Sequence, residues 1–292
     1  MPQYSTKADV FLIVVTLLAA ISWMFSKEAL AGFPPLLFVG SRFLLAGIIL
    51  AAFGHKLLRA LSAEQWRAAA GVGTVFGCAM SFWIMGLFYA DNLGEGAFIT
   101  SMAVVLVPPL SLLFFRETVA ASTWVALPLA IAGMALLALQ DGFQPEASQL
   151  FFLCAAVLFS LTFILNGRAA TRIPALALSA IQLCIVGLVA LPISIATEQW
   201  PDDISGNMLW WLSLSVVVGT AARFLLQTYA QGLTSPSHAA VIMVLEPIWT
   251  ALIAAAWFGE RMTEIQMMGC GLIFASLLAN RWSNIRDWLR RE

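Results

Sequence analysis

The chain is cut into apolar stretches of nearly uniform length, and this constrains its fold more than any other feature. Such stretches run near 8–26, 34–53, 67–90, 95–115, 122–139, 148–167, 173–196, 207–230, 237–258 and 264–281. About 20 apolar residues in a helix cross the hydrocarbon core of a bilayer. Only a helix or a closed barrel satisfies its backbone hydrogen bonds there, and these stretches are too long for barrel strands. Turn or charge signals separate them: Gly32-Phe33-Pro34-Pro35, His55-Lys56, Asp91-Asn92, Arg116-Glu117, Gln140-Asp141-Gly142, Arg172-Ile173-Pro174, Pro201-Asp202-Asp203, Ser235-Pro236 and Glu260-Arg261. The expected fold is therefore an all-α integral membrane protein with ten transmembrane helices. The first stretch, Val10 to Phe25, reads as a membrane helix and not as a cleaved leader.

Composition agrees. Of the 292 residues, 61% are hydrophobic and 11% charged, against roughly 25% charged in soluble domains. A net charge of −1 with no basic tract leaves nothing for nucleic-acid binding. Cys78, Cys154, Cys184 and Cys270 lie in apolar stretches without a CxxC pair and read as packing residues.

Lysine and arginine set the expected orientation. With ten spans, one face receives Lys7, Lys56, Arg59, Arg67, Arg116, Arg168, Arg172, Arg281, Arg286, Arg290 and Arg291, and the other only Lys27 and Arg261. Positive residues mark the cytoplasmic side, so both termini are expected there.

The sequence also echoes itself. Pro34, Gly47, Tyr89-Ala90 and Leu93 recur 140 residues later as Pro174, Gly187, Tyr229-Ala230 and Leu233, and Glu117 recurs as Glu260 after a slightly longer loop. Two units follow, 1–143 and 144–292. Each holds five helices, an odd number, so the second must enter the bilayer from the opposite side. Such inverted repeats are common in secondary transporters, which place substrate near the midplane between the halves.

Against that background the second half carries Leu245-Glu246-Pro247-Ile248-Trp249, then Phe258-Gly259-Glu260-Arg261-Met262-Thr263, then Gln266 and Gly269; the first carries Pro34-Pro35 followed by Arg42. These residues resemble the drug/metabolite transporter superfamily, in particular its EamA-type branch. Length and second-half pattern are most similar to the bacterial amino-acid exporters, the aromatic amino-acid exporters above all. The resemblance implies an inner-membrane exporter with a central cavity lined mainly by helices 1, 3, 4, 6, 8 and 9. The first half departs from the pattern: Val104 stands in the register of Pro247, prolines follow at Pro108 and Pro109, and Arg116 replaces the glycine before Glu117.

Several residues are candidates for the work. Glu246 is an acid deep within a span, where a carboxylate must pair, protonate or face water. Arg223 sits at a similar depth on the preceding helix, so the two can form an ion pair. Both a structural clamp and a role in proton coupling or substrate ammonium binding are open to Glu246. For Arg42 the expected partners are Glu95, Asp91 or Glu28, the headgroups, or a substrate carboxylate. Pro108, Pro109 and Pro247 free backbone carbonyls within spans and are candidate kinks or gates. Trp23, Phe82, Trp83, Phe159, Phe163 and Trp249 lie deep on helices the resemblance places around the cavity. They suit an aromatic substrate by stacking and equally suit packing. Ser81, Tyr89, Thr100 and Gln227 are candidate polar contacts. Gly71, Gly73, Gly77, Gly269 and Gly271 read as sites of close helix packing.

The expected activity is export of amino acids, aromatic and other neutral ones, or related metabolites by alternating access, with a channel, a scaffold or another metabolite or drug class as the alternative. An enzyme lacks parts: His55 and His238 are the only histidines, and neither HExxH nor GxSxG occurs. No Walker motif points to nucleotide. No cofactor or metal is expected; the expected partners are a small-molecule substrate and the lipid bilayer, and the expected state is a monomer.

Overall fold

The computed structural model describes residues 6–89, 93–138, 148–258 and 263–289, and every regular element among them is a helix. The order is α1 (Thr6–Leu30), α2 (Pro35–Arg59), α3 (Ala63–Tyr89), α4 (Leu93–Phe115), α5 (Ala121–Ala138), α6 (Ser148–Ala170), α7 (Ala175–Thr197) and α8 (Gly206–Val216). A π-helical segment (Val217–Ala222) leads into α9 (Arg223–Gln231), followed by α10 (Pro236–Met243), α11 (Glu246–Phe258) and α12 (Glu264–Leu289). Among the described residues, seven helical segments are long and apolar enough to cross a membrane, counting α8 to α9 and α10 to α11 as one segment each; Ile99–Phe115, Ala121–Leu136 and Met267–Ala279 are shorter apolar helices. The turns Asp91-Asn92 and Gln140-Asp141-Gly142, the junction near residue 143 and the run from Gly259 to Met262 lie outside the described residues.

Local chemistry explains where helices start. Pro34 and Pro35 open α2 and Pro236 opens α10, positions whose N–H has no intrahelical partner. Ser205 and Ser235 cap α8 and α10 by accepting from the N–H of Met208 and His238. Ser62 and Gln65 form a reciprocal capping box at α3: Ser62 Oγ accepts from the Gln65 N–H, and Gln65 Oε1 accepts from the Ser62 N–H.

The most extensive helix interface is α2 against α7. A Cβ added at Gly47 would lie 2.6 Å from the backbone N of Cys184, and one at Gly187 2.5 Å from Cβ of Leu44. Since Gly40 faces Leu191 and Gly54 faces Leu176, the two helices run antiparallel. In lipid, backbone proximity of this kind is what holds helices together. Gly73 and Gly77 pack likewise on Ile185 and Val189, but Gly71 and Gly271 face open space, so these two do not serve helix packing. The carbonyl of Gly269 meets Gly133, bringing α12 against α5.

Two helices cross over. α1 packs chiefly on the π segment and α8 to α11, whereas α6 packs on α3 and α4. The main buried cluster, with Phe38, Phe43, Phe76, Leu183 and Val186, lies among α2, α3, α7 and α8. Around it, two of the long helical segments are interrupted in mid-course.

A polar junction between two interrupted helices

The first interruption is the π segment. Its wider turn releases carbonyls from the α-helical ladder, and Thr220 Oγ1 donates to the carbonyl of Ser215 at 2.8 Å. Gly219 lets α1 come close, since a Cβ there would collide with Ser22 Oγ. Arg223 is the first residue of the α-helix that resumes. The second interruption, at Val244-Leu245, precedes α11. Leu245 N–H bonds to Ile242 and Ile248 N–H to Leu245 in tight three-residue turns; Pro247 has no N–H to continue the ladder back to Met243. Glu246 is the first residue after this break, where the positive end of α11 favours its negative charge.

The two breaks face each other. Arg223 Nη2 lies 3.4 Å from Glu246 Oε2, and Trp23 Nε1 on α1 donates to Glu246 Oε1 at 3.3 Å. The Arg223 and Glu246 side chains are 19% and 22% exposed, so the pair is open on one side. Gln227 lies one turn beyond Arg223 and Trp249 one turn beyond Glu246, on the same helix faces. Arg223 Nε, Gln227 Oε1 and Trp249 Nε1 are buried without a hydrogen-bond partner.

An aromatic group borders this junction. The Arg223 guanidinium stands 4.9 Å from the Phe224 ring, which packs on Phe43 and Phe76 at centroid distances of 5.6 and 5.5 Å; Phe159 joins through Phe76 at 6.1 Å. Across it lies Arg42, 8% exposed. Its Nε donates to Thr220 Oγ1 at 2.9 Å, its Nη1 to Ser26 Oγ at 2.8 Å, and its Nη2 to Ser22 Oγ at 3.1 Å and more weakly to the Gly219 carbonyl. Among the described residues hydroxyls hold Arg42, and Glu28, one of its expected partners, instead accepts from Trp257 Nε1 at 3.2 Å; Asp91 and the side chain of Glu95 lie outside the described residues.

The other sequence candidates separate. Trp83 packs against the main cluster, and Phe163 lies between α6 and the buried residues of α1, α4 and α10. Phe82 and Tyr89 form their own group on Phe151, at 6.4 and 5.7 Å. Ser81 Oγ donates to the Gly77 carbonyl of its own helix, and Thr100 is half-buried on α4. α4 continues as helix through Pro108 and Pro109, whereas the chain breaks just before Pro247.

Sequence reasoning passed over two buried polar groups near the lysine- and arginine-rich end. His238 Nε2 lies 2.7 Å from Asp9 Oδ1, with side chains 4% and 8% exposed. Asn166 donates to Gln231 Oε1 and to Thr228 Oγ1, and accepts from Gln182 Nε2 at 2.7 Å, joining α6, α7 and α9. Polar residues at equal depth on apolar helices were the available signal. Among the described residues no three histidine, cysteine or acidic side chains group as metal ligands.

The sequence profile described as the EamA-like transporter family matches residues 6–139 and again 147–282. One uncharacterized transporter of Archaeoglobus fulgidus is 24% identical over 271 residues, spanning 93% of this chain and 84% of the relative; another from that organism is 28% identical over 189 residues, 65% and 67%. The uncharacterized transporter YvbV of Bacillus subtilis is 25% identical over 282 residues, 93% and 90%. A solved crystal structure superposes with a TM-score of 0.82 at 16% identity, covering 97% of this chain and 99% of that one, which is a likeness of fold.

Proposed function

This chain belongs to the EamA-like transporter family, and on that premise we propose that it is a secondary transporter that exports amino acids, aromatic and other neutral ones, or related small metabolites by alternating access. The carrying observation is the half-open Arg223–Glu246 pair with Trp23 where two interrupted helices meet. Interrupted helices whose ends face each other inside a membrane are suited to binding solutes, because their free polar groups need partners that water and substrate supply.

Ten spans in two inverted five-helix units complete the reading. Seven long apolar segments and three shorter ones support that number, and the twofold match of one family profile supports the duplication. The antiparallel crossing of α2 and α7 at Gly47 and Gly187, residues in the same register of the two units, supports the inversion. The arginine and lysine bias supports cytoplasmic termini in a bacterial inner membrane. The protein acts as a monomer.

In this reading substrate meets Trp23, Arg223, Gln227, Glu246 and Trp249, with Phe159 contributing to an aromatic wall. Phe163, Trp83, Ser81, Phe82, Tyr89 and Thr100 lie on α3, α4 and α6 and shape the path. The break before Pro247 is the hinge, with Pro108 and Pro109 on α4 as its counterpart.

Uptake of labelled Trp, Phe, Thr and Met into proteoliposomes, with and without a pH gradient, tests the proposal. Saturable flux of at least one amino acid, absent from empty vesicles, is expected. Lack of flux for all four removes amino acids as the substrate class.

A further inference from the structure

Among the described residues the charges around the junction do not balance. Arg42 and Arg223 bring two positive charges; their aromatic neighbours form a ladder, with Arg42 5.4 Å from the Phe43 ring, Phe43 5.6 Å from Phe224, and Phe224 4.9 Å from Arg223. Arg42 bonds Thr220 and Gly219, within about one turn of Arg223, so the two guanidinium groups border the same stretch of chain. Glu246 is the one carboxylate paired to either of them among the described residues. Among the described residues Arg42 is hydrogen-bonded only by neutral oxygens of Ser22, Ser26, Thr220 and Gly219. These hydroxyls satisfy its donors without compensating its charge, and an uncompensated buried charge is costly. The unpartnered atoms point the same way: Arg223 Nε–H and Trp249 Nε1–H are donors awaiting an acceptor, with Gln227 Oε1 an acceptor beside them.

We propose that this junction is a carboxylate-binding site, in which the anionic group of an organic monocarboxylate is taken by Arg223 and the adjacent field of Arg42, and its apolar body lies on the partly exposed Phe224 and Phe159, which Phe43 and Phe76 back from the core. The inference rests on the transport reading for its biological meaning but not for its chemistry. Arg223 loosens its 3.4 Å contact with Glu246 to grip the incoming carboxylate with its planar fork. Glu246 keeps its bond from Trp23. The bound monoanion neutralises the surplus positive charge, so the carboxylate and not an ammonium is the group recognised. An amino acid binds through the same group, with its ammonium turned toward Glu246 and Gln227.

The test is ligand-dependent thermal stability of the purified full chain in detergent, at fixed chloride and ionic strength, with three compounds of one side chain: 3-phenylpropionate, phenylalanine and phenethylamine. A ligand that binds only the folded state at a hundred times its Kd raises Tm by several degrees. 3-Phenylpropionate should raise Tm at least as far as phenylalanine, and phenethylamine should leave it unchanged. Arg42→Gln should reduce the shift by 3-phenylpropionate at least tenfold in half-saturating concentration. If that variant does not fold, the three-compound comparison on the unaltered chain decides alone. Equal or greater stabilisation by phenethylamine, or none by either carboxylate, overturns the proposal. Carboxylate-dependent stabilisation without vesicle flux leaves this site standing and removes the transport reading. Amino-acid flux that 3-phenylpropionate fails to inhibit does the reverse.

Discussion

Asp9 Oδ1 and His238 Nε2 meet at 2.7 Å in a buried contact that fastens the start of α1 to α10, the short helix before the break. Farther along, α1 reaches past that break: Trp23 bonds Glu246 at the start of α11, and Glu28 accepts from Trp257 near its end. One unbroken helix is thus tied to both pieces of an interrupted one. Any bending at Val244-Leu245 must slide against α1 and loosen one of these ties.

The Asp9–His238 tie is therefore expected to carry much of the stability of this region. Removing one partner leaves the other buried with its polar contacts diminished, a loss of about 2–4 kcal/mol. His238→Ala and Asp9→Asn should each lower stability in reversible unfolding from mixed micelles, and the double variant should cost clearly less than the two losses added. Strict additivity would mean that the two side chains do not support each other.

Glycine positions give an opposed pair of expectations. Gly187→Ala places a Cβ 2.7 Å from the backbone N of Leu44, where neither helix can yield without separating. It should cost about 2 kcal/mol or more through forced separation of α2 and α7. Gly71 meets nothing within 4 Å, so Gly71→Ala should gain about 0.5–1 kcal/mol from helix propensity alone. The same unfolding measurement on both variants checks the contrast.

Much of this architecture is written in the sequence because the bilayer imposes a length on each element. Apolar runs, the proline before α2 and the charge bias are readable for that reason. Glu246 and Arg223 stand out because an ionised side chain inside an apolar run is costly. Helix rotation is different. No local signal says that Phe82 and Tyr89 turn to Phe151 while Phe159 turns to Phe76, since an apolar helix in lipid has apolar residues on every face. The π segment Val217–Ala222 is equally silent, for it contains no proline and the residues that meet it, Ser22 and Arg42, come from other helices. The hydroxyl cradle of Arg42 was hidden too, because its members are far apart in the chain and serine is unremarked in an apolar helix.

Glu198 at the end of α7 carries a prediction for the opposite end of the bundle from Asp9. Its two carboxylate oxygens accept from the N–H groups of Leu36 and Leu37 at 2.7 and 2.8 Å, and Ser194 Oγ donates to Oε2 at 2.8 Å. A carboxylate across a helix N-terminus answers both the free donors and the dipole. Glu198→Ala should cost about 1–2 kcal/mol, and Glu198→Gln less, as its amide oxygen can still accept. Hydrogen exchange at Leu36 and Leu37 checks this, speeding up in the alanine variant and only weakly in the glutamine one.

Arg116 holds a backbone φ of 52° just after α4, the one non-glycine residue with positive φ among those described. In the register of the second half this place belongs to Gly259, so the family pattern had marked a position where a side chain is a hindrance. A non-glycine residue in the left-handed region costs roughly 1–2 kcal/mol. The neighbouring contacts do not depend on the Arg116 side chain: Glu117 receives a bond from Arg168 at 3.1 Å, and Arg168 covers the Phe115 ring at 4.6 Å. Arg116→Gly should therefore raise stability by about 1 kcal/mol, tempered by the greater freedom of glycine in the unfolded chain. Arg116→Val, branched at Cβ, should lower it by at least as much. Melting temperatures of the two variants against the unaltered chain test this directly, and a glycine variant less stable than the valine one would show that the turn is held by the side chain and not strained by it.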